Sequence, residues 1–433
     1  MRLLSIQEAS RRRFERQQRV AGLQYHAAGH CVHVGRLSPG CRGCFEPDAF
    51  RLNISCGERC NVACDYCFDR AATTAEQARD ARLSVKARIL SDARRPGYGP
   101  GSISFSGGGE PLCDLDRIED YMSMFRALAP RMSRRPWFYL YTNGLLATPG
   151  TLMRLRDLGF DELRFHVGAS GFSPKVFDHI RAAVALFPAV TVETPAWPPH
   201  RTAIFAMLPA LHDLGVKHLN LGEVEITADN RERIAARLPD AEVYQSFQTH
   251  LYGGDLVYDV VEEVLARGYS YSVLDCSGIV KSLQRSPAKT VIHEPLGDAI
   301  AEYPGYGTER KAEPSPLVHV RQSAPCGGLA AGRMDAVYGK ACGIVAETVE
   351  DACVLLEPDD DAWRQRAYRL NETGRAIWDR LDASRSLDAV ARELASLFEV
   401  SEAELHADVA AFVGDLLRRG FVVHVPHPES PEP

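Results

Sequence analysis

The sequence predicts an α/β protein in which a series of parallel βα units is followed by a small winged-helix domain. Three observations predict it. From about residue 50 to 225, strand-like runs alternate with helix-like segments. A cysteine-rich segment and a glycine-rich segment each fall just after such a run. From about residue 350 to 425 the pattern changes to short strands and three amphipathic helices. The six runs are Phe50–Ser55, Ser102–Ser106, Trp137–Thr142, Glu162–Val167, Val190–Thr194 and His218–Glu223. After the first interval they recur roughly every 25–35 residues, the length of one βα unit. Parallel strands with covering helices are therefore expected.

At 433 residues the chain can hold two or three domains. Its 45% hydrophobic and 25% charged residues are those of an ordinary globular protein. A net charge of −7 gives no reason to expect a nucleic-acid or membrane partner. The opening Met1-Arg2-Leu3-Leu4-Ser5-Ile6-Gln7 runs into Arg11-Arg12-Arg13 with no apolar core, unlike a signal peptide. No apolar stretch is long enough to span a bilayer. Twelve cysteines in this setting point to metal or redox chemistry in a reducing cytoplasm rather than to disulfides.

Three of those cysteines follow the first run, as Cys60-Asn61-Val62-Ala63-Cys64-Asp65-Tyr66-Cys67. Thiolates at x3 and x2 spacing can converge on three corners of one iron–sulfur cube. Such cubes normally take four cysteines, so three leave one iron open, as catalytic metal sites do. A zinc loop or three unrelated thiols is the plainer alternative, but zinc usually wants a fourth ligand and paired Cys-x2-Cys units. After the second run comes Ser106-Gly107-Gly108-Gly109-Glu110-Pro111. Its glycines let the backbone approach a ligand closely, and the carboxylate can accept hydrogen bonds from an amine.

The Cys-x3-Cys-x2-Cys loop, with aromatic Tyr66 before its last cysteine, resembles the cluster loop of the radical S-adenosylmethionine (radical SAM) superfamily. The Gly-Gly-Glu segment about 40 residues later lies where that resemblance requires it. The resemblance implies an open (β/α)6 partial TIM barrel. It also implies a [4Fe–4S] cluster on Cys60, Cys64 and Cys67, whose open iron chelates S-adenosylmethionine. Gly108, Gly109 and Glu110 would bind the methionine end of the cofactor, beside Tyr66. In βα barrels chemistry sits at the strand C-terminal ends, and both motifs fall there. Other polar residues share that position. Asn143 follows the third run; Arg164 and His166 lie on the fourth, with Ser170 beyond; Glu193 closes the fifth; Asn220, Glu223 and Glu225 lie on or after the sixth. Strand alternation turns about half of such residues to the other face. Asn143, Ser170, Glu193 and Glu223 are the candidates for lining the cofactor site.

In the C-terminal region, Cys353-Val354-Leu355-Leu356 and Ala367-Tyr368-Arg369-Leu370 can pair as short strands. Asn371 or Thr373 can cap a helix through Ile377 and Trp378. Leu387, Val390, Ala391, Leu394 and Leu397 then fall at helical spacing, as do Leu405, Val409, Phe412, Leu416 and Leu417. Gly420 fits a helix stop, and Phe421-Val422-Val423 fits a last strand. This winged helix-turn-helix resembles the PqqD-type leader-binding domain, through Leu370-Asn371-Glu372-Thr373-Gly374, Ile377-Trp378, Asp408-Val409 and Leu416-Leu417. In that family the leader of a ribosomally made precursor peptide adds a strand to the sheet edge. A DNA-binding winged helix is the competing reading. From 351 to 425, however, 9 Arg and no Lys face 15 Asp and Glu, a net charge of −6, where phosphate binding needs a basic face.

Nine cysteines remain. Cys41-x2-Cys44, with Cys31 or Cys56, has the spacing of an auxiliary cluster or zinc site, the alternative being a pair of thiols by a turn. Cys276, Cys326 and Cys342 are a second, weaker auxiliary set. Cys113 follows the Gly-Gly-Glu motif, and Cys353 reads as a core thiol. The expected organisation is an N-terminal cysteine- and histidine-containing segment at 1–49 and the partial barrel at 50–275. A post-barrel region and linker follows at 276–349, with the polar stretch 305–316, and then the leader-binding domain at 350–433.

The functional expectation is a radical SAM maturase acting on a precursor peptide. An electron from a donor such as flavodoxin or ferredoxin would enter through the cluster. One alternative keeps the radical chemistry but takes a small molecule or a protein glycyl site as target. Another is a non-catalytic, metal-stabilised peptide chaperone.

Overall fold

The computed structural model describes residues 1–26, 31–44, 51–55, 59–68, 75–107, 109–246, 248–283, 332–356, 367–398 and 401–425. Cys56, Gly108, Cys326 and the stretch 305–316 lie outside the described residues. The chain forms two compact units, Met1–Ala72 with Gly97–Ser315 and Thr73–Pro96 with Pro316–Pro433.

The first unit is built on seven parallel strands: β1 Arg51–Ser55, β2 Ser102–Ser106, β3 Trp137–Thr142, β4 Glu162–Phe165, β5 Ala189–Pro195, β6 His218–Gly222 and β7 Ser272–Cys276. Each pairs with its sequence neighbour. Beyond β7 the sheet continues through antiparallel Cys31–Val34 and Gln24–His26. All six expected strands are present, and β7 is a seventh that the sequence reading did not place. Helices Leu115–Leu128, Pro149–Leu158, Pro174–Val184, Arg201–Leu214 and Gly254–Arg267 connect the strands. The last stops at Gly268, whose φ of +66° an L side chain rarely adopts.

Both strand faces are covered, so the strands read as buried runs. On β4, Leu163 and Phe165 are wholly buried apolar residues, while Glu162 and Arg164 pair on the other face, Nε to Oε1 2.8 Å. That inner face is polar: Arg164 lies over the Tyr139 ring at 4.1 Å and over Tyr141 at 5.4 Å. The sheet is strongly curved. Arg51 of β1 lies over Tyr139 of β3, two strands away, at 5.8 Å. Cys41 and Cys44, three residues apart in the chain, reach strands five places apart: Cys44 Sγ lies 3.5 Å from Arg51 Nη1 of β1, and Cys41 Sγ lies 3.6 Å from Asn220 Nδ2 of β6. In a flat sheet five strand spacings would separate β1 from β6 by about 24 Å. This is an open partial barrel.

The segment around helix Pro39–Arg42 closes the end where the strands begin. The Ser38 hydroxyl accepts from Gly40 N and donates to Glu162 Oε2. The Gly40 carbonyl accepts from Ser102 Oγ. A Cβ on Gly40 would stand 2.7 Å from Arg164 Nη2 and 2.9 Å from Glu162 Oε2, so a side chain there would have to displace that buried ion pair. The N-terminal helix Ile6–Arg19 is tied to the same unit by buried Arg13, which pairs with Glu223 and Asp275 at 2.5 and 2.6 Å.

The second unit holds the expected winged helix. Ala352–Leu356 pairs antiparallel with Ala367–Leu370, and helices Glu372–Arg380, Leu387–Phe398 and Glu402–Arg418 follow. Asn371 caps the first helix, its Oδ1 accepting from Gly374 N at 2.7 Å. Two features were not expected. Val345–Val349 adds a third strand to the small sheet, and Val337–Lys340 forms a second sheet with Asp382–Ser386 and Val422–Val425. The sheet's second face is covered by helix Ala75–Asp92, which belongs by sequence between β1 and β2. Its Leu83 and Ala87 pack on Val349, Ala352, Val354, Leu356 and Ala367. The compact unit is thus discontinuous, where the sequence suggested one stretch from residue 350. The two apolar faces follow from strand alternation, since Cys353, Leu355, Tyr368 and Leu370 face the three helices instead.

Candidate active site

The strand ends of β1 to β6 carry the three-cysteine loop, Glu110 and the polar candidates. The loop after β1 bears Cys60, exposed, with Cys64 and Cys67, half-buried, none of them in a disulfide. Cys67 N donates to the Cys64 carbonyl at 3.2 Å, closing a turn. Among the described residues no His, Cys, Asp and Glu side chains are drawn into a metal-holding group, so the three thiols share one loop rather than one point. Three soft donors on one partly exposed loop suit an iron–sulfur cluster.

Glu110, buried to 2% exposure, stands at the centre of the site. Its Oε1 accepts from Thr142 Oγ1 at 2.7 Å and Leu112 N at 3.1 Å, and its Oε2 accepts from Asn143 N at 2.6 Å. Its own N–H donates to the Arg59 carbonyl, and Asn143 Nδ2 donates to Asn61 Oδ1 at 2.6 Å. The ends of β2 and β3 are thereby tied to the cysteine loop. Burial pushes the Glu110 carboxyl above its ordinary value, against the pull of its three hydrogen bonds. Three donors leave one of a carboxylate's roughly four acceptor sites open. Gly109 is half-buried beside it.

Tyr66 lies behind the loop. Its hydroxyl is 3.1 Å from His166 Nε2, and its ring packs 5.6 Å from Trp197 and 5.7 Å from His200. Burial pushes the His166 imidazole down to about 4, so it is neutral near pH 7. Thr194 Oγ1 and His200 Nδ1 are buried and have no hydrogen-bond partner among the described residues. A Cβ placed on Gly168 would meet both, at 2.7 and 3.3 Å, and the Tyr66 hydroxyl at 2.8 Å. The sequence reading missed Thr194, Trp197 and His200. The polar strand end Thr194-Pro195 was the one signal for the first of them.

The remaining candidates separate. Glu193 faces the barrel interior, its Oε2 accepting from Asn220 Nδ2 at 3.0 Å and Arg164 Nη1 at 3.3 Å. Against burial, those partners hold its carboxyl below the ordinary value. Two other candidates make their hydrogen bonds within the protein. Glu223 does not open to a ligand: it accepts from Arg13, Gly253 N, Tyr244 Oη and Gly278 N, which fill its lone pairs in a sealed network. Ser170 folds into its own turn, donating to the Val167 carbonyl at 2.9 Å and accepting from Ser173 N at 3.4 Å.

The other cysteines fall into separate places. Cys41 and Cys44 are buried in the segment that closes the barrel floor, and Cys276 packs against them. Cys41 Sγ is 3.3 Å from Arg164 Nη2 and 3.6 Å from Asn220 Nδ2, and Cys44 Sγ is 3.5 Å from Arg51 Nη1. Burial pushes the Cys41 thiol up to about 12, a protonated thiol rather than a ready thiolate. Cys31 begins the strand that pairs with Gln24–His26. Cys342 and Cys353 belong to the second unit, so Cys276 and Cys342 are not members of one compact unit. Cys353 is a core thiol, as expected.

Residues 54–187 match the Radical SAM superfamily. The chain carries a radical SAM domain. Residues 352–422 match a second family, coenzyme PQQ synthesis protein D (PqqD), so the C-terminal winged helix is a PqqD domain. Over 147 residues the chain is 26% identical to the uncharacterized protein MJ0804 of Methanocaldococcus jannaschii, covering 33% of this chain and 41% of that one. Among solved structures, Streptococcus suis SuiB bound to precursor peptide SuiA superposes with a TM-score of 0.38 at 14% identity, covering 55% of this chain and 50% of SuiB. Native anSMEcpe with bound AdoMet and Cp18Cys peptide gives 0.36 at 15% identity, covering 52% and 62%. Coproporphyrinogen III oxidase (HemN) from Escherichia coli gives 0.37 at 14% identity, covering 53% and 55%. The chain thus spans about half the length of SuiB and less than half of MJ0804.

Proposed function

We propose that this protein is a radical SAM enzyme that modifies a ribosomally made precursor peptide recruited by its PqqD domain. The observation that carries the reading is the coincidence, on one chain, of the Cys60–Cys64–Cys67 loop tied to Glu110 and a PqqD domain. A [4Fe–4S] cluster held by the cysteine loop would supply one-electron reduction, the chemistry that cleaves S-adenosylmethionine reductively. The residues of this chain do the positioning. Cys60, Cys64 and Cys67 hold the cluster. Glu110, locked by Thr142 and Asn143, offers its remaining lone pair to the cofactor ammonium. Gly108 and Gly109 let the backbone approach. Tyr66, Trp197 and His200 wall the site on the side of β4 and β5, excluding water. Glu193 and Asn220 face the interior where a target side chain would enter. The leader adds a strand to the small sheet of the PqqD domain, so the core peptide reacts at high effective concentration. The electron donor is a small one-electron carrier such as flavodoxin or ferredoxin, and the setting is the reducing cytoplasm.

The test is 5′-deoxyadenosine production by anaerobically reconstituted protein with dithionite and S-adenosylmethionine, with and without a leader-bearing peptide. Wild type should produce it and Cys64→Ala should not, because two thiolates cannot hold the cube. Production by Cys64→Ala at the wild-type rate would sink the assignment.

A further inference from the structure

The cysteine loop is gripped from outside by a segment that no motif describes. Four consecutive carbonyls, of Asp65, Tyr66, Cys67 and Phe68, each accept a hydrogen bond from a side chain of residues 227–233. Arg233 donates to two of them, Nε to Asp65 O at 3.3 Å and Nη2 to Cys67 O at 3.1 Å. Asn230 Nδ2 donates to Tyr66 O at 3.2 Å, and Thr227 Oγ1 donates to Phe68 O at 3.1 Å. The three side chains stand three residues apart, at the start of helix Arg231–Arg237. They are themselves fixed. Asn230 is wholly buried, also donates to Glu225 O at 2.8 Å, and accepts from Thr227 N at 2.8 Å. Arg233 Nη1 donates to Asp229 O.

In a planar trans peptide the N–H points opposite to the C=O. Carbonyls held from the clasp side therefore turn the intervening N–H groups away from it. Holding four successive peptide planes also fixes the stretch that carries Cys64 and Cys67. A guanidinium sits against the carbonyl of Cys67 itself. We propose that Thr227, Asn230 and Arg233 are positioning residues for the iron–sulfur cluster. They pre-set the loop for Cys64 and Cys67, and the charge of Arg233 favours the reduced, more negative cluster. The inference rests on the radical SAM reading above.

The test uses full-length, anaerobically reconstituted protein and two readouts other than turnover: the rate of iron loss to a chelator, and the cluster midpoint potential followed by electron paramagnetic resonance. Loss of an outer-shell partner typically weakens metal binding about 10–100-fold. Asn230→Ala and Arg233→Gln should therefore lose iron at least about 10-fold faster than wild type. Arg233→Gln should also shift the potential to more negative values, because it removes a cation near the site of reduction. Arg233→Lys keeps the charge but cannot bridge two carbonyls; it should lose iron faster while retaining the wild-type potential. Arg181→Gln, which removes an exposed pair with Asp178 within helix Pro174–Val184, should match wild type in both. Wild-type iron loss in both Asn230→Ala and Arg233→Gln, or an unchanged potential in Arg233→Gln, would overturn the proposal. A purely structural role would leave the potential unmoved. If Arg233→Gln does not fold, Thr227→Val replaces one hydroxyl by a methyl and should still speed iron loss; a wild-type rate there overturns the clasp. Failure of the underlying reading looks different: wild-type protein would then bind no cluster, or Cys64→Ala would hold as much iron as wild type.

Discussion

Replacing Glu110 separates its two roles. Glu110→Gln keeps the shape, and the amide oxygen can still accept from Thr142 Oγ1 and Leu112 N. The amide nitrogen then faces Asn143 N, now 2.6 Å from Oε2, as donor to donor. One buried N–H left without an acceptor costs about 1–3 kcal/mol. The charge for the cofactor ammonium is also lost, and a hydrogen bond to a charged group contributes about 1.5–3 kcal/mol. That is roughly a 10- to 150-fold weaker affinity for S-adenosylmethionine. Iron content should stay near wild type, because Glu110 does not touch the thiols through its side chain. The assay is equilibrium binding of S-adenosylmethionine to reconstituted protein, with urea unfolding of the same preparations. Affinity within about 3-fold of wild type, alongside the stability loss, would refute the cofactor role. The pH dependence adds a check. Burial raises the Glu110 carboxyl above 4.5, so wild-type affinity should begin to fall on acidification above the usual carboxylate range. Glu110→Gln should lack that component.

Three further outcomes are expected. Arg13→Met leaves the carboxylates of Glu223 and Asp275 buried without their cation and should cost about 3–5 kcal/mol in urea unfolding; a loss below about 1 kcal/mol would contradict the sealed network. Leu83→Ala removes a wholly buried side chain against the small sheet and should cost about 2–5 kcal/mol, measured as the unfolding of the second unit. Burial holds His250 down at about 3, so its contribution to stability is present above about pH 6.5 and is lost as pH falls from there toward 3, a swing of up to roughly 4–5 kcal/mol. His250→Gln should flatten the stability profile in that window; an unchanged profile would mean the folded protein accommodates the charged ring.

The strands and both motifs were legible because each rests on local chemistry. Strand-like runs bounded by turn signals mark strands wherever they fall, and Cys60, Cys64 and Cys67 declare themselves by spacing alone. What was not legible depends on pairing across the chain. Glu223 sits one residue past β6, where a ligand-binding carboxylate would also sit. Only Arg13, 210 residues earlier, shows that its lone pairs are taken. Thr194, Trp197 and His200 matter because β4 and β5 bring them to Tyr66, and no spacing records that. The clasp was invisible for the same reason: Thr227, Asn230 and Arg233 look like an ordinary helix start until their acceptors are known. Trp378 carries the PqqD signature, yet it is 2% exposed in the core, with Lys340 over its ring at 5.0 Å. Replacing it would test folding rather than peptide binding.

The helix Ala75–Asp92 bears on where a leader could bind. A three-stranded sheet with one bare face would offer an apolar surface to any partner. Here both faces are closed, one by the three helices of the PqqD domain and the other by Leu83 and Ala87. Among the described residues the strands Val345–Val349 and Ala367–Leu370 are the edges of this sheet. A peptide adding a strand would do so along one of these edges, with side chains falling alternately toward the two covering layers. One of those layers is a helix that begins eight residues after Cys67 in the chain. The small sheet's core is thus completed by a helix that belongs by sequence between Cys67 and β2. A leader-binding fragment cut at residue 350 would therefore lack one wall of its own core.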